Sequence, residues 1–237
     1  MSVIALAAGG TAGHINPALA LAEELVSRGH DVRFFGTTKG LEARLVPEQG
    51  LPFEGLELTG FDRARPWTAI TAWRHTAAAT RRLVRAFSQE GERPAVAVGF
   101  GAYVEVPLGR AAEKLGIPLV LHEQNSVPGL ANKMLAGKAA VLALTYPAAR
   151  AAFEGRLGAS TRVVETGNPV RRLILAPTRA GARAKLGLPD DATVLLVFGG
   201  SLGALHLNQA MIGLKDALLA RPNLVPAPWV AWLGSAW

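Results

Sequence analysis

The chain has 237 residues, half of them hydrophobic and 18% charged, with a net charge of +7 and no cysteine. The charge content lies below the roughly 25% of an average soluble domain and argues against disorder, and no apolar run reaches the roughly 20 residues of a membrane span. Absent thiols exclude disulfides, cysteine zinc sites and thiol catalysis, and the positive balance favours an anionic partner among nucleic acid, anionic lipid and phosphorylated ligands.

The opening MSVIALAAGG lacks the basic segment and cleavage site of a signal peptide and reads as a first strand, as expected of a cytoplasmic protein. From there, short apolar runs alternate with helical patterns, which predicts an α/β fold with a doubly wound, Rossmann-like parallel sheet. The predicted strands cover residues 3–8, 32–35, 95–98, 117–121, 140–144, 162–166 and 193–198, each short and aliphatic as strands covered on both faces are. Between the first two, Ala18, Leu21, Ala22 and Leu25 follow helical spacing, with Gly29 as the stop. Residues 67–87 form a longer predicted helix with an apolar stripe at Ile70, Trp73, Ala77, Val84 and Phe87. Arg74, Ala78, Arg81 and Arg85 mark the stripe beside it. Two further helices are predicted, over 107–115, closed by Gly116, and over 127–136.

A polar stretch punctuated by Pro169, Pro177, Gly181, Gly187 and Pro189 divides the chain into a domain at 1–166, a linker at 167–190 and a second domain opening at 191–237. Beyond the linker, VLLVFGGSLGALHLNQAM repeats the pattern of VIALAAGGTAGHINPALA: an apolar run, two glycines, a hydroxyl residue, a third glycine. Because a doubly wound domain takes about 100 residues, the second is expected to be incomplete. Three of the five tryptophans (Trp229, Trp232, Trp237) follow Pro226 and Pro228 closely, a pattern foreign to a buried strand. The tail at 224–237 is therefore expected to be anomalous, either a frameshifted or truncated ending or an irregular terminal segment.

Ligands of open parallel sheets bind beyond the carboxyl ends of the strands. Five loops fall there: GGTAGH (9–14), GFGAY (99–103), HEQN (122–125), GNPVR (167–171) and GGSLG (199–203). Their glycines permit close backbone approach, and free N–H groups at the following helix start favour phosphate or diphosphate. The spacing matches neither the dinucleotide fingerprint nor a Walker loop. His14 is a candidate general base or hydrogen-bond donor. Gln124 and Asn125 suit sugar hydroxyls or an amide, Arg171 or Arg172 suits phosphate, and no metal site is expected. The 67–87 helix is either packed on the sheet with solvated arginines or an interfacial patch for anionic lipid, where each cation contributes about 1 kcal/mol. Nucleic acid is not expected, since no basic motif is interleaved with aromatics.

Taken in order, GGTAGHINPALALAEEL, GFGAYVEVP, IPLVLHEQNSVPGLANK, GNPVR and GGSLGALHLNQ closely resemble the MurG family of bacterial N-acetylglucosaminyltransferases, from the first strand to about Gln209. The resemblance implies a GT-B architecture and a metal-independent, inverting transfer that needs no cofactor. GlcNAc would pass from UDP-GlcNAc to the C4 hydroxyl of MurNAc in lipid I (undecaprenyl-pyrophosphoryl-MurNAc-peptide), giving lipid II at the cytoplasmic face of the plasma membrane. On this resemblance His14 is catalytic, and Thr11, Ala12, Gly13, Asn125, Arg171 and Ser201 contact UDP-GlcNAc. Gly10, Gly13, Gly99, Gly101 and Tyr103 belong to loops facing the acceptor diphosphate, and Ile70, Trp73, Arg74, Arg81 and Arg85 form a peripheral membrane patch. Three departures stand out. Ala12 and Ala102 replace glycines, which requires negative φ at both. Glu105 and Val106 stand where Ser-Gly is more frequent, putting a carboxylate near an anion site. The family's ribose-binding glutamate and its glutamine pair have no counterpart after Gln209, so this chain alone is expected to show little activity. A lipid I- or membrane-binding fragment without transfer, and another GT-B sugar-nucleotide enzyme such as an epimerase, remain the alternatives.

Overall fold

Alternation within the first apolar run sets the layering. In β1 (Val3–Ala7), Ile4 and Leu6 enter one core together with Ala8, whereas Ala5 and Ala7 enter the other, the period of two expected of a sheet. The computed structural model describes residues 1–60, 64–65, 67–199 and 204–221. In chain order, β1 is followed by α1 (Ala12–Ser27), β2 (Asp31–Thr37), α2 (Glu42–Leu45), β3 (Phe53–Leu56), α3 (Thr68–Phe87), β4 (Val96–Gly99) and α4 (Glu105–Leu115). Then come β5 (Leu119–Glu123), α5 (Leu130–Leu135), β6 (Val141–Leu144) and β7 (Arg162–Glu165). Helix α1 covers one face with Ile15, Ala18, Leu19 and Ala22. On the opposite face, Leu83 and Phe87 of α3 and Leu108, Ala111 and Ala112 of α4 pack against the sheet. The alanines at 5 and 7 leave room for those helices. Phe87 meets Phe35 edge-on, with ring centroids 5.7 Å apart, and each fully buried Leu or Phe here contributes about 1.5–3 kcal/mol.

The seven described strands pair parallel in the order β3-β2-β1-β4-β5-β6-β7. The direction of winding reverses between β1 and β4, where Ile4 pairs with Val96 and Ala7 with Gly99. That reversal opens a crevice above the carboxyl ends of the two strands, and the GGTAGH and GFGAY loops are the segments leaving them.

The chain separates into two compact units, Met1–Arg172 and Leu173–Trp237. Within the second, α7 (Arg179–Lys185), after a short α6 (Arg172–Leu175) at the divide, is capped by the Thr178 hydroxyl, which accepts from Gly181 N–H at 3.1 Å. The Arg183 guanidinium donates to the carbonyls of Pro189 and Ala192. Helices α8 (Leu205–Gly213) and α9 (Lys215–Leu219) follow. The anomalous tail expected at 224–237 lies outside the described residues.

Several expectations change. The 193–198 run forms no strand: Val194 and Leu195 are half exposed and Leu196 and Phe198 three-quarters exposed. A parallel strand exists only through its neighbours' hydrogen bonds, and no strand is described in this unit. Conversely, β3 carries Glu54 and Gly55 in a run of four, too short and polar to read as a strand; Leu56 is its buried anchor. Helix α5 starts at Leu130 rather than 127, because Pro128 disfavours helix at the preceding residue and Gly129 is extended, with ψ 157°. On α3 the packed side chains are Ala79, Thr80, Leu83 and Phe87, so Ile70 and Trp73 of the expected apolar stripe stay about 70% exposed.

Ala12 begins α1, but Ala102 has φ +62°, against the expectation of negative φ. An L-residue there costs about 1–2 kcal/mol, partly offset because glycine loses more entropy on folding. Ala102→Gly is thus expected to raise unfolding free energy by about 0.5–1 kcal/mol, read from urea midpoints. An unchanged midpoint would mean that packing of the Ala102 methyl compensates in full.

Candidate functional site

Three buried carboxylates shape the crevice. Glu42, fully buried at the start of α2, accepts from Gly10 N–H (3.2 Å), Thr37 N–H (2.8 Å) and the Thr37 hydroxyl (2.7 Å). Side chains added at Gly9, Gly36 or Gly40 would come within 2.5, 2.4 and 2.3 Å of its atoms. The glycines at 9, 36 and 40 therefore make room for an internal carboxylate, a closer constraint than ligand approach. Glu105 does the same for the second loop: its Oε2 accepts from Gly101 N–H at 2.6 Å and fills the space a Cβ on Gly99 would need. Its Oε1 is buried without a partner. Glu123, at the end of β5, accepts from Asn125 N–H (2.9 Å), Asn125 Nδ2 (3.0 Å), Gly129 N–H (3.0 Å) and Asn132 Nδ2 (2.9 Å).

Gly10 and Gly101 have thus already committed their N–H groups inside the protein. What stays open is the first turn of α1. Thr11 is extended, and its side chain gives no cap. The N–H groups of Ala12 and Gly13 have no acceptor among the described residues, while those of His14 and Ile15 bond Thr11 O. Pro17 lacks the N–H that would normally close on the Gly13 carbonyl. Two backbone donors thus stand open beside His14.

His14 is partly buried, with Nδ1 2.9 Å from the Thr11 hydroxyl. Its ring lies against the second loop: a Cβ on Gly101 would stand 2.8 Å from Cδ2 and 3.1 Å from Nε2, and Gly101 has φ +83°. The Gly101 position is therefore closed to any side chain. Burial pushes the His14 imidazole below its usual range, with the Glu123 charge opposing, so the ring is neutral at physiological pH. Tyr103 follows on the same loop; burial, then the Glu42 charge, raises its phenol.

The HEQN loop is braced from within. His122 is buried, donates from Nε2 to Gly167 O (3.0 Å) and accepts at Nδ1 from Gln124 Nε2 (2.9 Å), which fixes its tautomer. Asn125 gives its amide nitrogen to Glu123, and its Oδ1 meets no donor among the described residues. The structure thus brings together Thr11, Ala12, Gly13 and His14 with Gly10, Gly99, Gly101 and Tyr103 at the switch point. Arg171 is instead held on α1, with Nε 2.6 Å from Glu23 Oε1 and a second contact to Gln49, and Arg172 pairs with Glu24. Ser201 lies outside the described residues. Trp67, just before α3, and Ile70 and Trp73 on it stand exposed, and Arg74, Arg81 and Arg85 of the same helix form no ion pair with a described residue. Glu42 went unnoticed in the sequence; its one trace is the glycine two residues before it.

Residues 4–143 match the glycosyltransferase family 28 N-terminal domain, and the architecture is that of GT-B glycosyltransferases. The chain belongs to glycosyltransferase family 28. It is 43% identical over 93% of its length to the UDP-N-acetylglucosamine--N-acetylmuramyl-(pentapeptide) pyrophosphoryl-undecaprenol N-acetylglucosamine transferase of Desulforudis audaxviator, covering 58% of that protein. To the enzyme of the same name from Bacillus subtilis it is 36% identical over 92%, covering 59%. The chain therefore spans a little over half the length of these relatives. Acinetobacter baumannii MurG superposes with a TM-score of 0.61 at 30% identity, over 89% of this chain and 54% of that one. Arabidopsis thaliana UGT89C1, solved with UDP-L-rhamnose, shares the fold at a TM-score of 0.60 and 14% identity, over 91% of this chain and 62% of that one.

Burial pushes the Glu105 carboxyl up to about 8; the Gly101 hydrogen bond opposes the rise and the Glu123 charge adds to it. The folded state therefore holds a proton that the unfolded carboxyl has released above about 4.5. Between those values stability falls as pH rises, and above them both states are ionised. Glu105→Gln, neutral throughout, is expected to melt with the parent near pH 5 and several degrees higher near pH 8, a gain on the order of a few kcal/mol. Parallel melting curves across that range would mean that folded Glu105 is already ionised.

Proposed function

We propose that this chain supplies the acceptor side of an N-acetylglucosaminyltransferase of peptidoglycan synthesis. UDP-GlcNAc is the donor, the MurNAc C4 hydroxyl of lipid I the acceptor, and lipid II the product. The observation that carries the reading is His14 at the switch point, neutral and with Nδ1 on the Thr11 hydroxyl. When Nδ1–H donates to Thr11 Oγ1, the lone pair on Nε2 is free to take a proton. In the proposed step the acceptor hydroxyl gives its proton to Nε2 while its oxygen bonds to the anomeric carbon of GlcNAc. The bond from that carbon to the diphosphate oxygen breaks on the opposite face, its electron pair leaving with UDP. The configuration inverts, and no metal enters the step.

The N–H groups of Ala12 and Gly13, which meet no acceptor among the described residues, suit sugar hydroxyls, and Asn125 Oδ1 adds an acceptor. Arg171 and Ser201 are proposed for the UDP diphosphate; for Arg171 this means exchanging Glu23 for phosphate. Exposed Trp67, Ile70 and Trp73 with Arg74, Arg81 and Arg85 support peripheral attachment to the anionic cytoplasmic face of the membrane. Among the described residues no helix is long and apolar enough to cross a membrane. The second unit, whose described residues form no strand, favours a second reading in which this chain binds acceptor without transferring sugar.

GlcNAc transfer to a lipid I analogue is measured for the chain and for a chimera joining residues 1–172 to the C-terminal part of the Bacillus subtilis relative. In whichever turns over, His14→Ala is expected to lower kcat by about 10²–10⁴ with KM for UDP-GlcNAc unchanged. An unaltered kcat removes His14 from the chemistry, and acceptor binding by the chain without turnover supports the second reading.

A further inference from the structure

A cavity of about 460 Å³ opens beside the switch point, walled by Thr37, Lys39, Glu57, Thr59, His75 and Tyr103. Its size falls within the roughly 300–1,000 Å³ of small-ligand sites. Thr37 ends β2 and the 57–59 segment leaves β3, so the cavity lies at the same end of the sheet as His14. The two are joined by one side chain, since Glu42 bonds both Thr37 and Gly10 N–H. The far wall is also braced: Thr59 Oγ1 lies 3.3 Å from His75 Nδ1 on α3, and a Cβ on Gly60 would touch the Tyr103 ring at 3.5 Å.

The charges decide what fits. Lys39 and Glu57 are exposed in the wall, and neither forms an ion pair with another described residue. A diphosphate would meet one cation against the Glu57 carboxylate and the Glu42 carboxylate behind Thr37, a poor electrostatic match. A peptide matches instead, because its carboxylates and amines answer Lys39 and Glu57. Its amide groups meet the hydroxyls of Thr38, Thr59 and Tyr103. The names of the relatives describe an acceptor that carries a pentapeptide on its muramyl sugar. We infer that this cavity, between the ends of β2 and β3 and α3, seats the peptide of the acceptor while the sugar lies at His14. The inference rests on the acceptor reading above.

The test is amide chemical-shift mapping of the intact chain with three probes: N-acetylmuramyl-pentapeptide, N-acetylmuramic acid and the free pentapeptide. The two peptide-bearing probes are expected to shift residues 37–40 and 57–60, and N-acetylmuramic acid to shift residues 10–14 and 101–103. Lys39→Ala, an exposed substitution, is expected to weaken both peptide-bearing probes about tenfold and to leave N-acetylmuramic acid unaffected. The inference is overturned if the peptide-bearing probes leave 37–40 and 57–60 unmoved, if Lys39→Ala and Glu57→Ala bind them as the parent does, or if UDP-GlcNAc occupies those residues instead. Failure of the acceptor reading has its own signature: neither N-acetylmuramic acid nor UDP-GlcNAc shifts residues 10–14.

Discussion

A carboxylate carried into a protein interior forfeits several kcal/mol of hydration unless hydrogen-bond donors replace the water, and the loops of this protein are arranged around that requirement. Glu42, Glu105 and Glu123 lie beneath the loops that leave β1, β2, β4 and β5. Their donors are almost all backbone N–H groups and asparagine amides of those loops, so satisfying the carboxylates is the same act as fixing the loop conformations. The number of donors differs: Glu42 has three and Glu123 four, whereas Glu105 has one and an orphan oxygen. Glu105 is the one that burial drives to keep its proton. A neutral carboxyl still accepts from Gly101, so the loop against which His14 packs is held without a buried charge.

That arrangement changes what the glycines mean. In the sequence they read as space for a phosphate; in the fold, Gly9, Gly36, Gly40 and Gly99 are space for glutamates. The open backbone donors lie one step along the chain, in the uncapped first turn of α1, where the N–H groups of Ala12 and Gly13 meet no acceptor among the described residues. The loops were legible as glycine-rich turns after strands because the apolar runs before them are unambiguous. Their partnership was not, since it depends on β1 and β4 being neighbours, and strand order leaves no local trace. Glu42 lies five residues beyond Thr37, the end of β2, and apart from Gly40 nothing in its immediate sequence separates it from a solvated glutamate.

The fold itself was readable wherever aliphatic runs were covered on both faces, as in β1, β4, β5 and β6. It failed where burial is one-sided or partners are lacking. The edge strand β3 tolerates Glu54, which pairs with Arg82 of α3, and so lacks an aliphatic signature. The 193–198 run has that signature, yet no strand is described in its unit. On α3 the apolar stripe packs on the sheet at Phe87 and stays exposed at Ile70 and Trp73, because periodicity reports an amphipathic surface and is blind to how far the sheet extends beneath it.

The same limit bears on the net positive charge. Several arginines are spent on intramolecular pairs: Arg33 with Glu92 and Asp31, Arg82 with Glu54, Arg171 with Glu23 and Arg172 with Glu24. On α3 the cations at 74, 81 and 85 have no such partner among the described residues, and the exposed Ile70 and Trp73 share that helix. His75, two residues beyond Trp73, lines the cavity between the ends of β2 and β3. A single helix thus offers an apolar, cationic surface and a wall of the polar cavity. On the proposed reading, that pairing answers an acceptor whose lipid tail, diphosphate and peptide demand opposite environments within a short distance.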